Sequence, residues 1–146
     1  ILQVAKDKQT ENRKFLARLK NKPPKNLDYL MQDLHDEEFR KTDCLTCANC
    51  CKTTGPLFTT ADIERISRRL RMKAQQFEEM YLRKDEDGDM VLQRVPCTFL
   101  DAGNFCTIYD VRPKACREYP HTDRKKFHQI TNLTAKNLEI CPATYR

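Results

Sequence analysis

Glycine is nearly missing from this chain. Three glycines in 146 residues leave no Gly-rich loop of the kind that cradles the phosphates of nucleotide cofactors. Long apolar runs are missing as well. Nothing approaches the roughly 18 consecutive apolar residues that a membrane-spanning helix needs, which excludes an integral helical membrane protein. The basic start, apolar centre and small-residue cleavage site of a signal peptide are also lacking. The chain opens at Ile1 rather than methionine, which leaves open whether a leader precedes it. Apolar residues make up only 39% against 33% charged, and the mean hydropathy is −0.78. That composition predicts a lean core in one compact domain with an additional helical arm, and argues against two full-sized domains. No internal repeat or low-complexity tract is present.

Cysteine is what the chain has in excess. Cys44, Cys47, Cys50, Cys51, Cys97, Cys106, Cys116 and Cys141 make eight. The first four fall so close together that disulfides among them would close loops too short to stabilise much, and a bond between adjacent Cys50 and Cys51 would be strained. Thiolates crowded in this way repel one another until a cation removes the repulsion. All eight cysteines are therefore candidate metal ligands, in a reducing and hence cytoplasmic setting. The Cys44-x-x-Cys47-x-x-Cys50 series has the two-residue gaps that bring successive sulfurs onto one metal or onto neighbouring irons. It matches the opening of a bacterial-ferredoxin run and then departs from it, because position 54 is threonine. Adjacent side chains tend to diverge, so Cys50 and Cys51 are expected to face different ligand sets, or one of them to be a spectator.

Residues 1–42 form a separate stretch without cysteine or glycine. Val4, Phe15, Leu16 and Leu19 keep helical spacing, Pro23-Pro24 interrupts it, and Leu27, Leu30, Met31 and Leu34 resume a narrow apolar stripe. This region reads as an amino-terminal helical arm on a cysteine-cluster domain covering residues 43–146. Within that domain, Thr59-x-x-Asp62 signals a helix start, followed by Ile63, Ile66 and Leu70 on one face. A second helix is expected over 74–82. Asp87-Gly88 suits a tight hairpin turn into a Met90–Leu92 strand. A further hairpin is expected around residues 101–104, and Arg112-Pro113 opens a short helix that carries Cys116. The fold class is therefore α+β: a small, mostly helical, metal-nucleated domain with one or two short β-hairpins and an amino-terminal arm.

Charge is uneven. Residues 74–111 carry a net −5, residues 112–126 a net +4 and residues 61–73 a net +3. The basic segments could engage nucleic acid, but balancing the charge of a thiolate site is the simpler role. A four-thiolate zinc site or [4Fe–4S] cluster carries about −2, and Lys52, Lys114 and Arg117 lie close to cysteines in sequence. Arg112 and Arg117 are candidates to donate to a thiolate or a cluster sulfide. His121 could substitute as a ligand, Tyr109 and Tyr119 read as packing residues, and Asn132-x-Thr134 would matter as a glycosylation triplet only in a secreted protein.

The run Cys44-x-x-Cys47-x-x-Cys50-Cys51, followed by Pro96-Cys97-Thr-Phe-Leu and Phe105-Cys106-Thr-Ile-Tyr-Asp-Val-Arg-Pro-Lys-Ala-Cys116-Arg-Glu-Tyr-Pro120, resembles the CxxCxxCC cysteine-cluster family. These YkgJ-like proteins are described as zinc- or iron-chelating. The resemblance covers roughly Asp43 to Cys141 and includes all eight cysteines in order. It implies a bound metal and a link to flagellin lysine N-methylases, which are thought to hold an iron–sulfur cluster; most members have no established reaction. The expected cofactor is an iron–sulfur cluster, [4Fe–4S] by preference, with zinc close behind. The expected function is a metal-binding accessory module that docks on a protein partner through its arm or basic face. An enzyme in the lysine-methylation style, or a redox or electron-transfer protein, is the alternative. An enzyme would need a cofactor pocket and a general base, which the sequence does not display.

Overall fold

The structure, a computed structural model, describes residues 1–146. Ten helices run in order as α1 (Leu2–Asp7), α2 (Gln9–Asn21), α3 (Leu27–Lys41), α4 (Cys44–Cys47), α5 (Asn49–Thr53), α6 (Thr60–Arg69), α7 (Ala74–Tyr81), α8 (Lys114–Glu118), α9 (Thr131–Asn137) and α10 (Pro142–Tyr145). Three short strands, β1 (Leu57–Phe58), β2 (Leu82–Lys84) and β3 (Met90–Leu92), make an antiparallel sheet in the order β1-β3-β2. The α+β, mostly helical class read from the sequence is the one observed. By contacts the chain divides into two compact units, one of residues 1–44 with 120–146 and one of residues 45–119.

The first unit is helical and is built from both ends of the sequence. α2 packs along α9, and α3 packs against α10 and the 3₁₀ turn Phe127–Ile130. Its buried apolar residues include Ala5, Leu16, Leu27, Phe127, Ala135 and Ala143, and Thr131, Thr134 and Asn137 are buried beside them. Asp28 fastens the two sequence segments together: its carboxylate accepts the backbone N–H of Lys126 at 2.7 Å and of Phe127 at 3.0 Å. Gln9 donates to Glu139 at 2.8 Å, and His35 Nδ1 lies 2.7 Å from the Thr122 hydroxyl. The apolar spacing in residues 4–19 predicts one helix, yet the chain bends at Lys8, between α1 and α2. Asn12 donates its side-chain amide to the Ala5 carbonyl across this bend at 3.3 Å. The predicted apolar faces are only partly used. Leu16 and Leu27 are buried, whereas Val4, Phe15, Leu30 and Leu34 remain exposed.

The second unit holds the larger core. Phe58, Ile63, Ile66, Phe77, Leu82, Leu92, Phe99 and Ile108 close together, and Cys97 and Cys106 pack against them. Phe77, fully buried, has its ring 6.1 Å from Phe99 and 5.2 Å from Tyr81 between centroids. The helix-start signal at Thr59 is realised in full. Its hydroxyl accepts the Asp62 N–H at 3.1 Å while the Asp62 carboxylate accepts the Thr59 N–H at 2.9 Å, the reciprocal capping box.

One turn expectation needs correcting and a second is met. Asp87-Gly88 is not a two-residue turn, because Lys84 pairs with Met90 and the loop occupies residues 85–89. The Asp85 carboxylate accepts the N–H groups of Asp87 and Asp89, each at 2.9 Å, and Gly88 takes φ +81°. These side-chain bonds satisfy a wider loop that a tight turn would not need. Around residues 101–104 the expected hairpin is present in minimal form, with the antiparallel bridge of Leu100 to Cys106 flanked by the backbone bonds from Asp101 N–H to the Phe105 carbonyl at 2.9 Å and from Thr107 N–H to the Phe99 carbonyl at 2.7 Å. The Asp101 carboxylate also accepts the N–H groups of Gly103 and Phe105 and so closes the turn. Leu57-Phe58, too short to carry a period of its own, supplies an edge strand, pairing with Val91 and Met90.

Candidate metal centre

The cysteine series folds as two short helical turns. Ala48 sits between α4 and α5 in the left-handed region (φ 44°) and is buried, so the chain changes direction after Cys47. Cys50 and Cys51 then ride on α5, and the Cys51 carbonyl accepts the Cys97 N–H at 2.8 Å. That bond joins the early cysteine run to the later one. Cys50 and Cys51 interact side chain to side chain. The Cys50 thiol donates to Cys51 and, against the opposing effect of burial, brings the Cys51 pKa down to about 7. Neighbours on a helix differ by only about 100°, which two flexible C–S arms can close.

Cys97 and Cys106 each begin a Cys-Thr turn. Burial raises the Cys97 thiol, while backbone N–H groups of Phe99 and Leu100 act in the opposite sense as donors to its sulfur. Cys106 repeats the arrangement: burial raises it, and the N–H of Ile108 opposes the rise. Donors aimed at sulfur favour the thiolate, the form that binds metal. The two turns are fastened together by Thr107, whose N–H and hydroxyl both reach the Phe99 carbonyl, at 2.7 and 3.0 Å.

Cys116 enters from α8, which starts directly after Pro113 as the sequence predicts. Its thiol is pushed up to about 12, first by burial and then by the charges of Cys51, Cys97 and Cys106. The residue keeps some exposed surface, so the crowding is on the side of the other sulfurs. Cys51 and Cys106 also raise Cys97, and Cys51 raises Cys106. Four thiols from three separate stretches of chain are thus near enough for their charges to act on one another, with Cys50 joined to them through Cys51. None of the eight cysteines is in a disulfide. Soft, convergent sulfur donors whose joint ionisation is opposed by their own charges suit a zinc ion or an iron–sulfur cluster. The residues present fit such a group.

The remaining predicted residues are placed as follows. Cys47 is half-buried at the end of α4, in the same unit. Cys44 and Cys141 belong to the unit that contains both ends of the chain, as does His121, whose backbone is left-handed (φ 66°). Arg112 lies close enough to Cys106 and Cys116 to favour both thiolates. It also donates to the Tyr109 carbonyl at 2.8 Å and covers the Tyr109 ring at 4.0 Å. Tyr109, read as a packing residue, is instead 59% exposed and serves as a platform for this guanidinium. Arg117 is exposed on α8, and Lys114, beside it in the basic run, has its ammonium 3.8 Å from Glu118.

Two residues that matter to the site escaped the sequence reading. Asp62 was seen as a helix cap, but its other carboxylate oxygen accepts the Lys114 N–H at 3.2 Å, the first residue of the helix that carries Cys116. Arg65 lies in the basic segment 61–73, where nothing in the spacing sets it apart. It pairs with Asp62 at 2.8 Å and donates to the carbonyls of Val111 and Arg112 at 3.2 and 2.9 Å. The Thr-x-x-Asp cap was the only local signal for either of them.

No helix is long and apolar enough to cross a membrane. No solved structure matches the chain significantly. Residues 43–141 match the sequence profile of CxxCxxCC, described as a putative zinc- or iron-chelating domain. With more than half of its length matched, and with the sulfur set that this description requires, the chain belongs to the CxxCxxCC family.

Proposed function

We propose that the protein is a metal-binding accessory module whose centre is held by Cys51, Cys97, Cys106 and Cys116. The supporting observation is the electrostatic influence of these four thiols on one another, three of them raised first by burial and then by the charges of neighbouring cysteines. Cys47 and Cys50 lie in the same unit and, with Cys44 and Cys141, complete the eight-cysteine ligand inventory. Arg112 favours the thiolate form and so offsets part of the negative charge that metal binding fixes on sulfur. Arg117 is assigned the same role toward the outer face of the centre.

Between the two metals, the two-residue spacing of the first three cysteines favours an iron–sulfur cluster over zinc. When bound, a cluster would supply one-electron chemistry, whereas zinc would supply a closed structural crosslink. The reducing compartment that free thiols require is the cytoplasm, and the partner is a protein met by the exposed arm or the basic face.

Elemental and optical analysis of protein purified without oxygen tests this reading. The expected result is brown protein with about four irons and four sulfides per chain, lost on Cys116→Ser and on Cys97→Ser. Colourless protein with stoichiometric zinc, lost in the same variants, would keep the site and replace the cluster. Metal retained in both variants would remove the four-thiol assignment.

A further inference from the structure

Asp62 is 1% exposed; its carboxylate accepts three hydrogen bonds, from the N–H of Thr59 at 2.9 Å, the N–H of Lys114 at 3.2 Å and the Arg65 guanidinium at 2.8 Å, and its own N–H donates to the Thr59 hydroxyl at 3.1 Å. Both carboxylate oxygens and the amide are therefore in use. A buried carboxylate is costly to desolvate unless it is paired and hydrogen-bonded in this way. A simple helix cap would use one oxygen at the surface. Here the second oxygen is spent on α8, 52 residues away in sequence.

Arg65 extends the connection. Its guanidinium takes Asp62 on one side and the carbonyls of Val111 and Arg112 on the other, at 3.2 and 2.9 Å. A planar fork can hold three acceptors at once, which a lysine ammonium at the same place cannot do with fixed geometry. The segment thus fixed, Val111 to Lys114, carries Arg112 and leads directly into the turn of Cys116. α8 has only five residues and is not a helix that would persist alone. Its amides depend on short local bonds: Cys116 and Arg117 donate to the Pro113 carbonyl at 2.9 and 3.1 Å, and Tyr119 donates to Ala115 at 3.0 Å.

We propose that the buried Asp62–Arg65 pair is a positioning device that sets Cys116 and Arg112 in place for the metal centre before metal arrives. Neither residue touches metal; both act through the backbone of residues 111–114. The proposal rests on the four-thiol reading above for its purpose, but not for its geometry. It explains why one α6 arginine faces inward in a helix otherwise lined with solvated Arg68 and Arg69.

The test uses the full chain in two states. Arg65→Lys keeps the positive charge and the capping box intact while removing the fork; Asp62→Asn keeps the shape and removes the charge. In metal-free protein, amide hydrogen exchange is measured at Cys116, Arg117 and Tyr119 and compared with α7. Zinc affinity is then measured by competition with a chromogenic chelator. The expected result is exchange about tenfold faster in α8 with α7 unchanged, and zinc affinity lower by about 10–100-fold, the range found when residues supporting a metal ligand are lost. Arg65→Lys decides the matter if Asp62→Asn does not fold. Unchanged exchange at α8 in Arg65→Lys, or equal acceleration in α7, would overturn the positioning role. Faster exchange at α8 with unaltered zinc affinity would overturn its link to the metal. Wild-type protein that takes up no zinc or iron would instead sink the four-thiol reading, while the exchange comparison would still show whether the pair holds α8.

Discussion

Asp62 shows how one side chain can set the acid limit of the fold. Burial alone would raise its carboxyl, but the Thr59 N–H, the Arg65 guanidinium, the Thr59 hydroxyl and the Lys114 N–H together hold it below the ordinary value of 3.8. A carboxyl depressed in the folded state contributes stability that is fully present above its unfolded value and is lost as pH falls through the folded value. Urea unfolding of the metal-free protein should therefore weaken below about pH 4, and Asp62→Asn should be less stable at neutral pH with a flatter acid limb. An acid limb unchanged by the substitution would show that other carboxylates govern it. The sequence revealed this residue only as a cap. What it could not reveal is burial, because the partners Lys114 and Arg65 are recruited by packing rather than by spacing.

At the scale of elements, the short pieces are the ones that position sulfur. The reversal at Ala48 between α4 and α5 requires an L-residue in the left-handed region at a buried position, where φ is 44°. Alanine tolerates this conformation at a cost of about 1–2 kcal/mol; a β-branched residue tolerates it much less well. Ala48→Val should therefore destabilise by roughly 2–4 kcal/mol, strain and overpacking together, whereas Ala48→Gly should stay within about 1 kcal/mol of the parent. Equilibrium urea denaturation checks both, and equal effects from the two would show that the conformation is not under strain. α6, α7 and α8 were legible because each carries its own start signal or apolar period. β1 was not, since two residues carry no period, and its pairing with β3 is fixed by the core around Phe58. The Cys-Thr turns were visible as words in the sequence, Cys97-Thr-Phe and Cys106-Thr-Ile, but their shared N–H-to-sulfur bonding was not.

For the molecule as a whole, the cysteines and the metal chemistry they suit were plain in the sequence, whereas the association of the two ends was not. That association rests on Gln9 with Glu139 and on Asp28 with Lys126 and Phe127, contacts that no local periodicity records. Its consequence can be measured. Deleting residues 1–41 removes α1 to α3 and uncovers Phe127 and Ala135, which are 1% and 8% exposed in the complete chain. The shortened protein should bind a hydrophobic dye and lose the thermal transition of the helical unit, yet keep the metal held by Cys51, Cys97, Cys106 and Cys116. Unchanged dye binding would show that the carboxy-terminal helices pack without their partners; lost metal would show that the four thiols are not sufficient.

The same interleaving of ends bears on synthesis. During translation, residues 45–119 are all available once Tyr119 has left the ribosome, and domains tend to fold as units as they emerge. Helices α1 to α3, with Phe15, Leu30 and Leu34 on their surfaces, must wait for residues 120–146 before their shared core can close. The unit that carries Cys51, Cys97, Cys106 and Cys116 can thus be complete, and open to loading, while α1 to α3 are still without their partner.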